Sequence, residues 1–238
     1  MSVPIGLFRH FQGFEEVYSA KVSVKMSYIG SKSGLAVALS RLKVFERPKV
    51  MAEQYPTDSE IAAEVLWTAH MRGDLSSHEG KVSVDLGCGT GILGIGCLLL
   101  GAKECFFVDS DPEAVEIAKS NYSNMESEHS IEGGAHFVCR DIALFSGKAD
   151  IVVQNPPFGV KVRHADRPFL NKAMEIAPIV YSFHKSGSRK FVDGVSREKG
   201  FRITDVWDFD FPLKAAFGFH SRRIKMIPVS CFRLEKVV

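Results

Sequence analysis

The chain predicts an α/β fold, with a mostly parallel sheet, helices on both faces and an antiparallel pair of strands at the C-terminal edge. Three observations predict it. From Lys81 onward, short apolar runs rich in β-formers alternate with helix-period segments, and that alternation marks a parallel sheet covered on both faces. A glycine-rich turn, Gly87-Cys88-Gly89-Thr90-Gly91, follows the first run and opens a helix. The stretches Phe201 to Phe209 and Lys225 to Leu234 both read as strands that pair antiparallel at the sheet edge.

Residues Met1 to Ser33 show no clear period and stand as an N-terminal extension, residues 1–33, before one domain, residues 34–238. Leu35, Leu39 and Leu42, joined by Phe45, follow helical spacing, and Pro48 ends that helix. Thr57 with Glu60 has capping-box spacing before the apolar-rich helix Ile61 to Met71, which Gly73 closes. Val82 to Leu86 reads as a buried strand running into the glycine turn. Ile92 to Leu100 is then a core helix stopped by Gly101. Cys105 to Val108 is a second strand, ending at Asp109. Asp111 caps the next helix, with Pro112 in its first turn. His136 to Cys139 is a third strand, ending near Asp141, and Ile151 to Val153 a fourth, ending in Asn155-Pro156-Pro157-Phe158. A strand near Ile179 to Phe183 and a helix around Ser188 to Lys199 lead to the closing strand pair.

A length of 238 residues fits one such domain with modest additions, and 45% hydrophobic with 24% charged residues is the composition of a packed core. The net charge of +2 neither demands nor forbids a nucleic-acid partner, because a local basic patch can sit within a near-neutral total. The five cysteines, Cys88, Cys97, Cys105, Cys139 and Cys231, include no C-x-x-C pair. They read as reduced thiols, with no metal site among them. No apolar run is long enough for a membrane span. The first fourteen residues carry only Arg9 and His10 as basic or titratable groups, unlike a secretory signal. A cytoplasmic location is expected, or a nuclear one in a eukaryote.

In an open α/β sheet, ligands bind at the carboxyl ends of the strands, and each distinctive motif falls at such an end. A nicotinamide site would want G-x-G-x-x-G, but the sixth position here is Ile92. Asp85 lies in the strand just before the loop. An acid there repels a pyrophosphate and suits the ammonium of a methionine moiety, which points to S-adenosylmethionine. Gly87, Cys88, Gly89 and Gly91 form the loop. Asp109, at the end of the second strand, can accept from both ribose hydroxyls; the competing reading is a plain turn acid. Asp141, with Ile142 beside it, falls where the cofactor adenine should rest and can accept from the adenine amino group; otherwise it is a surface turn.

Asn155-Pro156-Pro157-Phe158 is the most informative stretch. An exocyclic amine on a base is a poor nucleophile because its lone pair is delocalised into the ring. The Asn155 side-chain oxygen and the Pro156 carbonyl can each accept one N–H, which aims the lone pair at the methyl group and favours pyramidalisation. The gain is one of positioning and electrostatics. The two prolines stiffen the loop, and Phe158 can stack on the target base. A base inside a duplex must first be flipped out. Alone, the tetrapeptide reads equally well as a proline-rich turn with a buried Phe.

Together, Glu53-Gln54-Tyr55-Pro56-Thr57, Val84 to Gly91 and Asn155-Pro156-Pro157-Phe158-Gly159 resemble the methyltransferase-like rRNA adenine N6-methyltransferases of archaea and eukaryotes, from about Leu35 to the C-terminus. The resemblance implies a Rossmann-like, class I, seven-stranded methyltransferase sheet. It implies Gln54, Tyr55 and Thr57 near the cofactor, although Thr57 reads equally as a helix cap. It further implies one adenosine in small-subunit rRNA as substrate, and a small zinc-binding activator as heterodimer partner.

Lys161, Arg163, His164 and Arg167 follow the tetrapeptide and are expected to rim the mouth of the site, where they could contact RNA phosphates. His220, Arg222, Arg223 and Lys225 form a second basic set, and Lys185, Arg189 and Lys190 a third. Each reads also as a solvated face. Phe209, Phe211, Phe217 and Phe219 interleave with the second set and are expected mainly in the core. The same motifs fit methylation of guanine N2 or of a protein glutamine amide. A DNA adenine acceptor stays open, although no target-recognition domain is recognisable. From another class, a non-catalytic ribosome-assembly or RNA-binding factor remains the alternative.

Overall fold

The computed structural model describes residues 29–46, 48–49, 55–75, 80–158, 165–213 and 225–237. Among them seven strands form one sheet: β1 (Val82–Leu86), β2 (Glu104–Asp109), β3 (Gly134–Cys139), β4 (Ile151–Gln154), β5 (Ile179–Lys185), β6 (Phe201–Leu213) and β7 (Lys225–Lys236). Their order is β3-β2-β1-β4-β5-β7-β6. The first five pair in parallel, while β7 runs antiparallel to both β5 and β6. From β1 the chain moves outward to β2 and β3, then crosses back to β4. The reversal lies between β1 and β4, and a crevice opens at their carboxyl ends.

The central strands are apolar on both sides, so each face must be covered. On one face α1 (Lys32–Ser40), α2 (Ser59–Met71), α3 (Ile92–Leu99) and part of α4 (Pro112–Glu128) pack Leu35, Leu39, Leu66 and Ile95 against Val153, Tyr181 and Phe183. On the other, α5 (Asp166–Ile176) and α6 (Arg189–Glu198) pack Leu170, Ala173 and Val192 against Val84, Val152 and Val180. No helix among the described residues is long and apolar enough to cross a membrane. All five cysteines are free thiols, and only Cys139 is exposed.

Three elements differ from the sequence expectation. α1 stops at Ser40, well before Pro48. The chain turns there because Asn121 of α4 clamps Lys43: Oδ1 accepts from the Lys43 N–H at 2.8 Å, and Nδ2 donates to the Lys43 carbonyl at 2.9 Å. A tertiary contact thus overrides the helical spacing that runs on to Phe45. The cap of α2 is Asp58, whose carboxylate accepts from the N–H groups of Glu60 and Ile61; Thr57 is free for another role. The third element, α5, has no counterpart among the expected helices. Its start, Asp166-Arg167-Pro168, does carry a first-turn proline, and Leu170, Ala173 and Met174 follow at helical spacing on its buried side.

Candidate active site

The crevice at the sheet reversal is a cleft of about 700 Å³. Its floor is the glycine turn. Gly87 has φ +68°, and a Cβ on it would lie 2.7 Å from Cε1 of Phe169. Gly91, at φ +86°, is the N-cap of α3 with no side-chain cap, and a Cβ there would meet Ala118 at 3.0 Å. Both positions require glycine for backbone conformation and for space. The turn is tied down by the Gly87 N–H on the Val108 carbonyl at 2.8 Å.

The acids around this turn are held by backbone N–H groups. Asp109 accepts from Gly89 at Oδ2 and from Asp111 at Oδ1, each at 2.9 Å. Burial raises its pKa, against these two hydrogen bonds. Asp85 is 1% exposed, and its Oδ2 accepts from Gly94 of α3 at 2.8 Å. Its pKa is pushed up to about 7, chiefly by burial, with the Gly94 N–H opposing and the Asp109 charge adding to the rise. Asp141 accepts from Ala143 at 2.8 Å, capping a one-turn 3-10 helix, Ile142–Leu144. Asp85, Asp109, Asp141, Ile142, Tyr55 and Thr57 all line the cleft. Cys88 lines it too, but burial first, then the neighbouring acids, push its thiol well above the ordinary range, so it packs as a neutral group.

Asn155 enters from the end of β4. Its Nδ2 donates to Oγ1 of Thr57 at 3.0 Å, while its Oδ1 is buried and has no partner among the described residues. A buried acceptor left without a donor is costly unless a ligand supplies one. Pro157 lines the cleft and Pro156 is buried. Phe158 departs from expectation. Its ring is buried edge-to-face against Phe211, 6.3 Å between centroids, so it anchors the loop and is not presented to the cleft.

Gln54, Lys161, Arg163, His164, Phe217, Phe219, His220, Arg222 and Arg223 lie outside the described residues, as does the side chain of Lys225. Arg167 does not rim the cleft; its guanidinium pairs with Glu198 of α6 at 3.0 Å. Phe211 is fully buried, and Phe209 packs on Phe183. Lys185, Arg189 and Lys190 lie at the carboxyl end of β5 and the start of α6, the same end of the sheet as Asn155, with Arg189 and Lys190 exposed. Four further lining residues of consequence are not among those expected from the sequence. Phe45 and Lys49 reach the cleft after the early end of α1, and Lys49 pairs with Asp111 at 2.6 Å. Pro168 and Phe169 form the wall supplied by α5.

A cleft with a positive-φ glycine floor, one buried acid, one half-buried acid and a buried amide oxygen without a donor among the described residues suits a cationic amino-acid head, a ribose and an amine acceptor. The comparisons with known proteins agree. The family model described as ribosomal protein L11 methyltransferase matches residues 71–156. The magnesium protoporphyrin IX methyltransferase of Synechocystis, solved with bound S-adenosylmethionine, shares the fold at TM-score 0.56 and 16% identity, covering 79% of this chain and 81% of that one. The crystal structure of PH1948 from Pyrococcus horikoshii is 40% identical, with TM-score 0.77, covering 87% of this chain and 98% of that one. The protein is a class I, S-adenosylmethionine-dependent methyltransferase. More narrowly, the rRNA N6-adenosine-methyltransferase METTL5 of Danio rerio is 33% identical over 84% of this chain and 96% of its own length. The chain belongs to the METTL5 family.

Proposed function

We propose that the protein methylates N6 of an adenosine in rRNA, most specifically in the small subunit, and that Asn155 holds the acceptor amine. The Asn155 Oδ1 carries this reading: it is buried at the cleft, without a donor among the described residues, and its amide is fixed by Thr57. An amine N–H satisfies it. The Pro156 carbonyl takes the second N–H, so the nitrogen lone pair faces along the cleft. S-adenosylmethionine, when bound, supplies the electrophilic methyl group. Asp85 would face its ammonium, Asp109 would accept from its ribose hydroxyls, and Asp141, Ile142 and Tyr55 would border the rest of it. Lys185, at the end of the strand next to β4, and Arg189 and Lys190, at the start of α6, are candidate phosphate contacts. A small zinc-binding activator subunit completes the proposal as the heterodimer partner.

The test is methyl transfer from labelled S-adenosylmethionine to unmodified small-subunit rRNA, with and without the activator, followed by nucleoside analysis. N6-methyladenosine at one site is the expected product. A methylated guanine would keep the amine chemistry and overturn the assignment to adenine. Transfer only to protein would overturn the RNA reading, and bound cofactor with no transfer would favour a binding factor.

A further inference from the structure

Behind the acceptor loop lies a second polar assembly that methyl transfer does not use directly. Asp166, Ser182, His184 and Gln154 are all buried, the last three at no more than 1% exposure. His184 Nδ1 lies 3.0 Å from Oδ2 of Asp166, and its Nε2 lies 2.7 Å from Oγ of Ser182. Nε2 of Gln154 donates to the same hydroxyl oxygen at 2.9 Å. The donors assign themselves from this network. A carboxylate only accepts, so Nδ1 carries the ring proton. Nε2 then accepts the Ser182 O–H, and the Ser182 oxygen accepts from Gln154. Aspartate, histidine and serine in this order are those of a hydrolytic triad, but here the serine is sealed from solvent, with both its proton and its oxygen engaged. It is no nucleophile.

What the chain of bonds joins is more informative. Gln154 and Ser182 are direct cross-strand neighbours on β4 and β5, and His184 is two residues further along the same face of β5. Asp166 begins α5, the helix that brings Pro168 and Phe169 into the cleft. Gln154 immediately precedes Asn155. Side chains alternate along a strand, so the two adjacent residues are tied to opposite layers: Asn155 to Thr57 on the α2 side, and Gln154 through Ser182 and His184 to Asp166 on the α5 side. The peptide between them is gripped from above and below. We infer that His184 is a positioning residue for methyl transfer, holding the end of β4 that presents Asn155 in register with the α5 wall of the cleft. This rests on the reading of Asn155 as the holder of the acceptor amine.

A misplacement of the reacting groups by about 1 Å can cost about a hundredfold in rate, whereas cofactor contacts made by the glycine turn lie on other strands. Ser182→Ala and His184→Ala are therefore expected to lower kcat ten- to a hundredfold, roughly, with cofactor Kd and RNA KM each within about threefold. The double variant should be no worse than the worse single one, because the bonds act as a unit. Asp166→Asn, which retains a carbonyl acceptor for Nδ1, should keep turnover within about threefold, unlike Asp166→Ala. Hydrogen–deuterium exchange on the cofactor-bound protein supplies a readout that needs no acceptor: segments 151–158 and 165–170 should exchange faster in both alanine variants. A Ser182→Ala protein that binds cofactor and turns over within twofold of wild type would overturn the inference. So would a loss confined to cofactor Kd, or unchanged exchange in both segments. If wild type methylates no RNA, the rRNA reading fails by itself, and the exchange result still decides whether this clamp exists.

Discussion

The cofactor side and the acceptor side of the cleft are built by different means. On the cofactor side, Asp85, Asp109 and Asp141 are each fixed by main-chain donors, from Gly94, from Gly89 and Asp111, and from Ala143. On the acceptor side the fixing groups are side chains: Thr57 for Asn155, and Ser182, His184 and Asp166 for Gln154. The first kind of site needs only a turn of the right shape and a few acids, so many sequences can build it. The second kind depends on particular side chains meeting across the fold, and on the proposed reading it is the part that would set which amine is held.

The sharpest break in the comparison is Asn155→Ala. Losing a preorganised hydrogen-bonding group that acts on the reacting atoms typically costs about 10² to 10³ in kcat. The expected result is a loss of that size with cofactor affinity within about threefold, read by single-turnover transfer and calorimetry. Retained turnover would show that the acceptor is held elsewhere. Asp109→Ala should show the opposite pattern: cofactor Kd weakened about tenfold or more, with turnover at saturating cofactor within about threefold. A change in kcat alone would dissolve the division into two sides.

Asp85 sharpens the comparison through pH. Its folded pKa of about 7 lies above the ordinary 3.8, so the folded protein binds the extra proton between these values. Stability from this group is full below the lower value and declines as pH rises through about 7. Asp85→Asn removes that decline, and its thermal midpoint relative to wild type should rise between pH 5 and pH 8. Cofactor binding should move the other way. If the ionised carboxylate faces an ammonium, wild-type affinity gains about tenfold from pH 6 to pH 8 as the ionised fraction grows, and Asp85→Asn loses that part of the pH dependence. Parallel profiles for the two proteins would remove Asp85 from the ammonium.

How much was legible in the sequence follows the same line. The strand from Val82 to Leu86, the glycine turn, the Asp111-Pro112 helix start and the closing antiparallel pair were all readable, because their signals are local. The acceptor side was readable only where it was written as a motif. Asn155 is legible, but its anchor Thr57 lies 98 residues away, and spacing alone leaves Thr57 equally a cap or a cofactor neighbour, with no sign of its bond to Asn155. α5 was lost because its polar outer face hides the buried row of Leu170, Ala173 and Met174, and with it went Phe169, the contact that fixes the space at Gly87. Phe45 was displaced by Asn121, a tertiary contact no periodicity encodes.

The smallest expected effects separate two neighbouring residues that sequence spacing confused. Asp58 caps α2 with two backbone hydrogen bonds, whereas Thr57 beside it holds the Asn155 amide and is 8% exposed. Asp58→Ala should cost about 1 kcal/mol of stability, the ordinary value of an N-cap, and leave kcat near wild type at a temperature where both proteins are folded. Thr57→Val keeps the side-chain shape and removes the acceptor for the Asn155 Nδ2. The amide is then free to rotate its oxygen away from the substrate, so kcat should fall several-fold, about the worth of one neutral hydrogen bond, with the thermal midpoint changed little. Unfolding by heat and steady-state transfer on the two variants check both halves. If the two substitutions affect stability and turnover alike, Thr57 is part of the cap after all, and the orientation of Asn155 must come from the peptide gripped by Gln154.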